Sequence, residues 1–350
     1  MLLYLSVFLA MVFAGLFIHT RKHQDMALGV FGVFLLVFMG TRNDTGCDFR
    51  AYEARFLYTY GDPSYMAYVT KEEPGFHWLN LLVHQLGLDY MWLNVFGSLI
   101  FVVCLIRFVR ISPSPVLLLS ILFPVVILQL GMSGLRQALA VAFLMQAMIS
   151  FVAVRRINAG LWILLAAQFH QSAYLFLPLA FMAGRKFSWT MAMASLAVLG
   201  PAAYFLLGER ADVYSDRYVE QIYGENSSGG AVLRYVLAVL PCVLFELQIK
   251  RVRRLLPRLY PLLRVVSLMT FALAPIGLLS TVALHRMTFY VLPGTLLVFV
   301  CAVMVLPKPQ VLSRKLLVLP AGVLLTYMLG WFTLSRHSSI CYVPYESFLF

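Results

Sequence analysis

Uninterrupted apolar runs, most of them fifteen to twenty residues long, recur from one end of this 350-residue chain to the other, and they constrain its fold more than any other feature. A helix needs roughly twenty apolar residues to cross the hydrocarbon of a bilayer, and a soluble core does not repeat such runs. A transmembrane β-barrel would show short alternating segments, whereas these runs are continuous and rich in Leu, Phe, Val and Ala. The fold class expected is therefore all-α, a polytopic integral membrane protein in which residues 1–350 form a single transmembrane domain.

The runs place full spans at 2–18, 26–40, 90–106, 116–130, 135–154, 189–207, 231–249, 265–284, 287–306 and 316–334, ten in all. The first run has no cation before it and meets Arg21 and Lys22 directly after it. That is the reverse of a signal peptide's charge order, so the run is expected to remain as a span with its N-terminus outside. The formal net charge of +12 could suggest a nucleic-acid partner, but the cations cluster between runs rather than along one face. The positive-inside rule explains them, and no nucleic acid is expected. Residues 161–182 sit between two basic flanks and carry the polar Gln168-Phe169-His170-Gln171-Ser172 at their middle. Two short helices turning at His170 keep both flanks inside. With this topology 17 of the 27 Lys and Arg lie inside and ten outside, and Asp25 and Glu246 are the only inner acids among the 15. The outer face is then the mixed-charge face, suited to a polar substrate.

Four outer stretches carry the chemistry. The first is Thr41-Arg42-Asn43-Asp44-Thr45-Gly46-Cys47-Asp48-Phe49-Arg50-Ala51-Tyr52, which opens the loop 41–73. That loop ends in Glu73-Pro74-Gly75, after which 76–86 reads as an interfacial helix with Phe76, Leu79, Val83 and Leu86 on one face. The second is Met132-Ser133-Gly134-Leu135-Arg136-Gln137. Ser133 reads as the N-cap, which puts Arg136 in a first helical turn where the macrodipole disfavours a cation and an anionic ligand would relieve the conflict. The ordinary alternative is an arginine snorkelling to headgroups. The third is the loop 208–230, whose Asp212, Asp216, Arg217, Glu220 and tyrosines precede Ser227-Ser228-Gly229-Gly230 and suit a lid. The fourth is Leu284-His285-Arg286-Met287-Thr288-Phe289-Tyr290, read as a short connection that holds Arg286 at the hydrocarbon boundary with Tyr290 on the same face. His170 is either a helix–helix hydrogen-bonding residue or a proton-transfer group, for which a neutral imidazole is suited.

Prolines inside several runs predict kinked helices. Cys104, Cys242 and Cys301 fall in spans, and no metal-ligand spacing is present, so neither metal nor cofactor is expected. Cys47 and the outer tail's Cys341 are the two outer cysteines, and a disulfide tying the tail 335–350 to the first loop is expected in an oxidising compartment.

Taken in order, Arg42, Gly46, Asp48 and Tyr52, then Glu73-Pro74-Gly75-Phe76, Gly134 with Arg136-Gln137, Phe169-His170 with Ser172, and Arg286 with Tyr290 resemble the EpsG family of Wzy-type bacterial polysaccharide polymerases. The resemblance implies a GT-C-like membrane glycosyltransferase of the bacterial inner membrane, with N- and C-termini and active site on the periplasmic side. It would use undecaprenyl-pyrophosphate-linked oligosaccharide as donor and acceptor, among membrane lipids and beside a chain-length regulator and a flippase. A pyrophosphate leaving group needs charge neutralisation, and the acceptor hydroxyl needs a base. Arg42, Arg136 and Arg286 suit the first role without a metal, with Arg217 on the lid and Tyr52, Gln137 and Tyr290 positioning substrate. His170 is ranked ahead of Asp48 as base, Asp48 then positioning the acceptor or pairing with Arg42, and Glu73 is a third candidate. A glycan ligase, a lipid-linked oligosaccharide transporter and a membrane acyltransferase are the competing readings.

Overall fold

The structure, a computed structural model, describes residues 1–59, 73–184, 228–307 and 311–349. Among the described residues it is all-α apart from one pair of two-residue strands. In chain order the elements are α1 (Leu2–Phe17), α2 (Arg21–Gly40), β1 (Arg42–Asn43), α3 (Phe49–Thr59), α4 (Pro74–Gln85), α5 (Tyr90–Val109), α6 (Pro115–Leu122), α7 (Leu135–Val152), α8 (Arg156–Phe169), α9 (Leu177–Met182), α10 (Ser228–Leu247), α11 (Ile249–Leu255), α12 (Tyr260–Ala272), α13 (Ala274–Leu279), α14 (Thr281–Met304), α15 (Val318–Leu334), α16 (Arg336–Cys341) and β2 (Glu346–Ser347).

Among the described residues six helices are long and apolar enough to cross a membrane, and the chain is a helical membrane protein. The six are Arg21–Gly40, Tyr90–Val109, Leu135–Val152, Gly230–Leu247, Tyr260–Leu278 and Thr281–Met304, and four shorter apolar stretches accompany them: Leu2–Phe17, Pro115–Gly131, Gln171–Met182 and Val318–Leu334. The expected span 189–207 lies outside the described residues. The exposed side of α2 carries Met26, Val30, Val33, Phe34 and Val37, while Leu28, Leu35, Phe38 and Met39 are buried. A helix apolar on both faces is placed in lipid, not at a water interface.

The chain divides into two compact units. The first comprises residues 1–143, 165–170 and 318–350, the second 144–164 and 171–317. In the first unit α2 packs on α5 and α1 on α6. Gly15 lets α1 approach closely: a Cβ there would stand 2.8 Å from the Leu117 backbone. α6 continues into a π-helix, Phe123–Gly131, overlapping the expected span 116–130, whose Pro124 is one of the prolines expected to distort a helix. Pro124 has no N–H to continue an α ladder, and the wider winding absorbs the gap. At one end of this unit Arg110 and Arg21 reach Asp25 at 3.2 and 3.6 Å. The opposite end gathers Tyr4 of α1, Phe38 of α2, Phe332 of α15 and Tyr342 and Tyr345 of the tail in ring contact. The N-terminus, the tail and the loop after α2 therefore share one face.

In the second unit α14 is the axis, its residues Thr288 to Met304 buried throughout, with α10 and α12 against it. The expected break at 284–287 is not where the chain turns. It lies at Ser280, whose hydroxyl accepts from Ala283 N–H at 3.2 Å and caps α14. Leu284 to Met287 contain no helix breaker, whereas Pro275, Gly277 and Ser280 precede them, so His285 and Arg286 lie in the second turn of a helix. The hairpin around His170 is present as a break: α8 ends at Phe169 and a 3-10 turn, Gln171–Phe176, leads into α9. Its arms close on each other where Arg156 Nε donates to Ala183 O at 2.6 Å.

Candidate functional site

The first loop is built by its small and turn-forming residues. Asp44 stands at φ 41° and Gly46 at φ 105°, left-handed positions that turn the chain back after β1. A Cβ on Gly46 would be 1.9 Å from Met132 O, so only glycine lets this loop lie on the turn before α7. Gly46 N–H donates to Cys341 O at 2.7 Å, and Cys47 and Cys341 are joined in a disulfide. β1 and β2 pair antiparallel, Arg42 opposite Ser347 and Asn43 opposite Glu346. The tail thus straps the loop from above. Arg50 grips Asp44 with two nitrogens, Nε to Oδ1 at 2.7 Å and Nη2 to Oδ2, and holds its carboxyl below the usual range.

Asp48 precedes α3, and its exposed carboxylate accepts from the Ser133 hydroxyl at 3.3 Å while its N–H donates to the same oxygen at 3.3 Å. Ser133 is therefore not the cap of α7, as its residue type suggested. The carbonyl of Gly134, one residue on, accepts from Ala138 N–H at 2.8 Å and takes that place. The loop's approach through Gly46 gives the Ser133 hydroxyl a better partner.

One turn along α3, Tyr52 OH stands 3.4 Å from Arg136 Nε and 3.5 Å from the Arg136 N–H. Arg136 Nη1 meets Glu73 Oε2 at 2.6 Å, with side chains 31% and 10% exposed. The cation in the first turn of α7 thus carries an internal counter-ion. Glu73 is set by a φ of 56° just before Pro74, and its carbonyl accepts from Phe76 and His77 N–H at 3.0 and 3.2 Å. Gly75 then packs on the hairpin tip: a Cβ there would be 2.9 Å from Gln168 Cβ and 3.0 Å from Phe169 Cε2. Asp48, Ser133, Tyr52, Arg136 and Glu73 form one connected set, bordered by the segment that leads into His170. Gln137, next to Arg136, is buried.

Arg42 lies elsewhere than a surface ligand would. It is 1% exposed, donates from Nη1 to Met39 O, and leaves Nε with no partner among the described residues. Burial pushes its pKa below the usual guanidinium range, against the phenols of Tyr90, Tyr342, Tyr345 and Tyr52. It forms no ion pair with Asp48, whose partner is Ser133. Tyr52 lies within electrostatic reach of both Arg42 and Arg136. In α4 the buried side is Phe76, His77, Asn80 and Val83, not the expected Phe76, Leu79, Val83 and Leu86. Leu86 is exposed because the helix ends at Gln85 and Gly87 turns at φ 67°, its N–H returning to His84 O at 3.0 Å. Burial, and then the charge of Arg55, push the His77 imidazole down.

The second unit holds its own group. Arg286 is half-buried on α14, and Tyr290 is fully buried with its ring 5.2 Å from Phe176. Arg234 of α10 is buried, reaches the His285 ring at Nε2 in 2.7 Å and lies 4.4 Å over Phe289. Sequence reasoning counted Arg234 only as an outer charge. The usable signal was an arginine inside an apolar run, which needs a partner. Arg217 and most of the 208–230 loop lie outside the described residues.

A model of the EpsG family matches residues 25–347. The chain belongs to the EpsG family. The match spans both units, and every motif that carried the resemblance, from Arg42 to Tyr290, falls inside it. EpsG proteins are a Wzy-type, polymerase-like family, and membership brings a polysaccharide-polymerase-like, glycosyltransferase-like function. No curated protein and no solved structure matches this EpsG chain.

Proposed function

We propose that this EpsG-family chain polymerises undecaprenyl-pyrophosphate-linked oligosaccharide repeat units on the periplasmic face of the bacterial inner membrane, on a GT-C-like frame. The growing glycan is the donor. Its anomeric carbon–oxygen bond to pyrophosphate breaks, a bond to the acceptor's non-reducing-end hydroxyl forms, the hydroxyl proton passes to a base, and lipid pyrophosphate leaves. The observation that carries this reading is the half-buried Arg136 guanidinium at a helix N-terminus, wired to Tyr52 and Glu73 with Asp48 alongside.

Arg136 and the N-terminal amides of α7 stabilise the developing phosphate charge without a metal. Glu73 holds the guanidinium in place, and Tyr52 orients it. Arg42, within electrostatic reach of Tyr52, acts as a fixed positive charge in a low-dielectric setting. Asp48, exposed and steadied by Ser133, takes the proton, with His170 the second candidate. Arg286 and Arg217 serve the lipid pyrophosphates, Gln137 and Tyr290 position substrate, and a chain-length regulator and a flippase are the expected partners.

The test is extension of lipid-linked repeat units by purified protein in EDTA, with wild type beside Arg136→Ala, Asp48→Asn and His170→Ala. Extension by wild type with loss in Arg136→Ala and Asp48→Asn supports the reading. Loss in His170→Ala with Asp48→Asn active moves the base to His170. A wild type that makes no polymer but carries the substrate across a vesicle membrane overturns it in favour of a transporter.

A further inference from the structure

α3 has two working sides. Asp48 and Tyr52 face the Arg136 set, while Phe49, Arg50, Glu53, Ala54, Leu57 and Tyr58 line a groove on the other side, closed by Asn43, Asp44 and Glu346. Its volume is about 450 Å³, within the range of small-molecule sites. It lies entirely in the first unit, with Asn43 and Asp44 of the strapped loop in its lining.

The lining has a definite chemistry. Tyr58 is 79% and Leu57 64% exposed, an aromatic and an apolar surface left open beside charged groups. The Arg50–Asp44 pair consumes one charge of each sign and stays ionised. The side chains of Glu53 and Glu346 make no hydrogen bond among the described residues, and both lie within electrostatic reach of Arg50. Carboxylates that accept from hydroxyls next to an exposed phenol ring are what a sugar needs: acceptors for its rim and a flat surface for its C–H face. Glu53 and Glu346 also make the groove net negative, which repels a carboxylated sugar.

We propose that this groove is a saccharide subsite that holds a neutral or amino sugar of the glycan while its reacting end lies across α3 at the Arg136 set, and that it rejects uronic acids. The inference rests on the polymerase reading for the ligand's origin, but not for the groove's binding chemistry. Saturation-transfer NMR on the purified full chain in nanodiscs tests it, with chitotriose, glucosamine trisaccharide and galacturonic acid trisaccharide as probes.

The expected result is transfer to the first two and none to the third. Tyr58→Ala and the pair Glu53→Gln with Glu346→Gln should weaken the first two roughly tenfold, and the glutamine pair should admit the galacturonic probe. Tyr58 and Glu346 are exposed and Glu53 is half-buried, and an unchanged unfolding temperature separates lost binding from lost fold. Transfer that is absent for every probe, equal for all three, or unchanged in Tyr58→Ala overturns the subsite. Arg136→Ala reads the other proposal separately: polymerisation lost with groove binding intact supports both, and groove binding by a wild type that makes no polymer leaves the subsite standing alone.

Discussion

Arg42→Met gives the sharpest sign to test, because the structure predicts that removing a charge will not weaken the fold. Arg42 is fully buried, faces phenols rather than a carboxylate, and leaves Nε unsatisfied. A buried donor without a partner costs about 1–3 kcal/mol. Methionine follows the same path through the core, and it removes both that penalty and the desolvation of the charge. Against this, Met39 O at the end of α2 loses the Nη1 bond, about 1 kcal/mol. The balance is neutral to stabilising by about 0–2 kcal/mol, while polymerisation should fall at least ~10-fold, equivalent to about 1.4 kcal/mol of lost transition-state stabilisation. Thermal unfolding of the purified protein, run beside the polymerisation assay, reads both. A variant that unfolds well below wild type, with activity lost only in proportion to folded protein, would refute the argument and make Arg42 a structural residue.

Four further outcomes follow from the same geometry. In a double-mutant cycle, Arg136→Ala should lower polymerisation ~100-fold or more and Glu73→Gln ~10-fold, with the double variant no worse than Arg136→Ala; additive losses would show that the two do not act together. Gly46→Ala should cost at least ~3 kcal/mol in stability, from its left-handed φ and the clash with Met132 O, and a normally folded variant by circular dichroism and gel filtration would contradict the close approach. Cys341→Ser, or a reductant, should loosen the 335–350 tail by about 2–4 kcal/mol and expose it to protease. Because burial depresses the His77 pKa from 6.5, its stabilising contribution is full above about 6.5 and declines as pH falls toward the depressed value, where the unfolded chain binds the proton first. His77→Phe should flatten that slope in unfolding scans taken between pH 7 and 5.

Much of this was legible in the chain. Apolar length and cation placement gave the helical membrane class, and the polar stretches that meet at Arg136 were each visible as islands in apolar sequence. What the residues could not show is which groups satisfy one another. The first-turn conflict of Arg136 pointed to an outside anion, yet a carboxylate from Glu73, 63 residues earlier, already meets it. Ser133 read as a cap because residue type alone cannot reveal that Gly46 brings Asp48 within its reach. Helix limits near Ser280 escaped for a related reason: a hydropathy run does not say where a hydroxyl will take over from the ladder. The two outer cysteines pointed to a link between the tail and the first loop, but the strand pairing beside it went unseen, because a strand of two residues has no period to detect and its partner lies some three hundred positions away.

That strap also sets an order of events in biosynthesis. Residues 42–48 cannot reach their final shape until 341–347 arrive on the same face, with a sequence separation of 294 between the joined cysteines. All the intervening helices must be inserted first, and the slowest kind of contact, one between distant positions, completes the loop. Under the proposed polymerase function, a chain truncated before Cys341 would carry the Asp48 loop without its strap and is expected to be inactive even after its helices have entered the membrane.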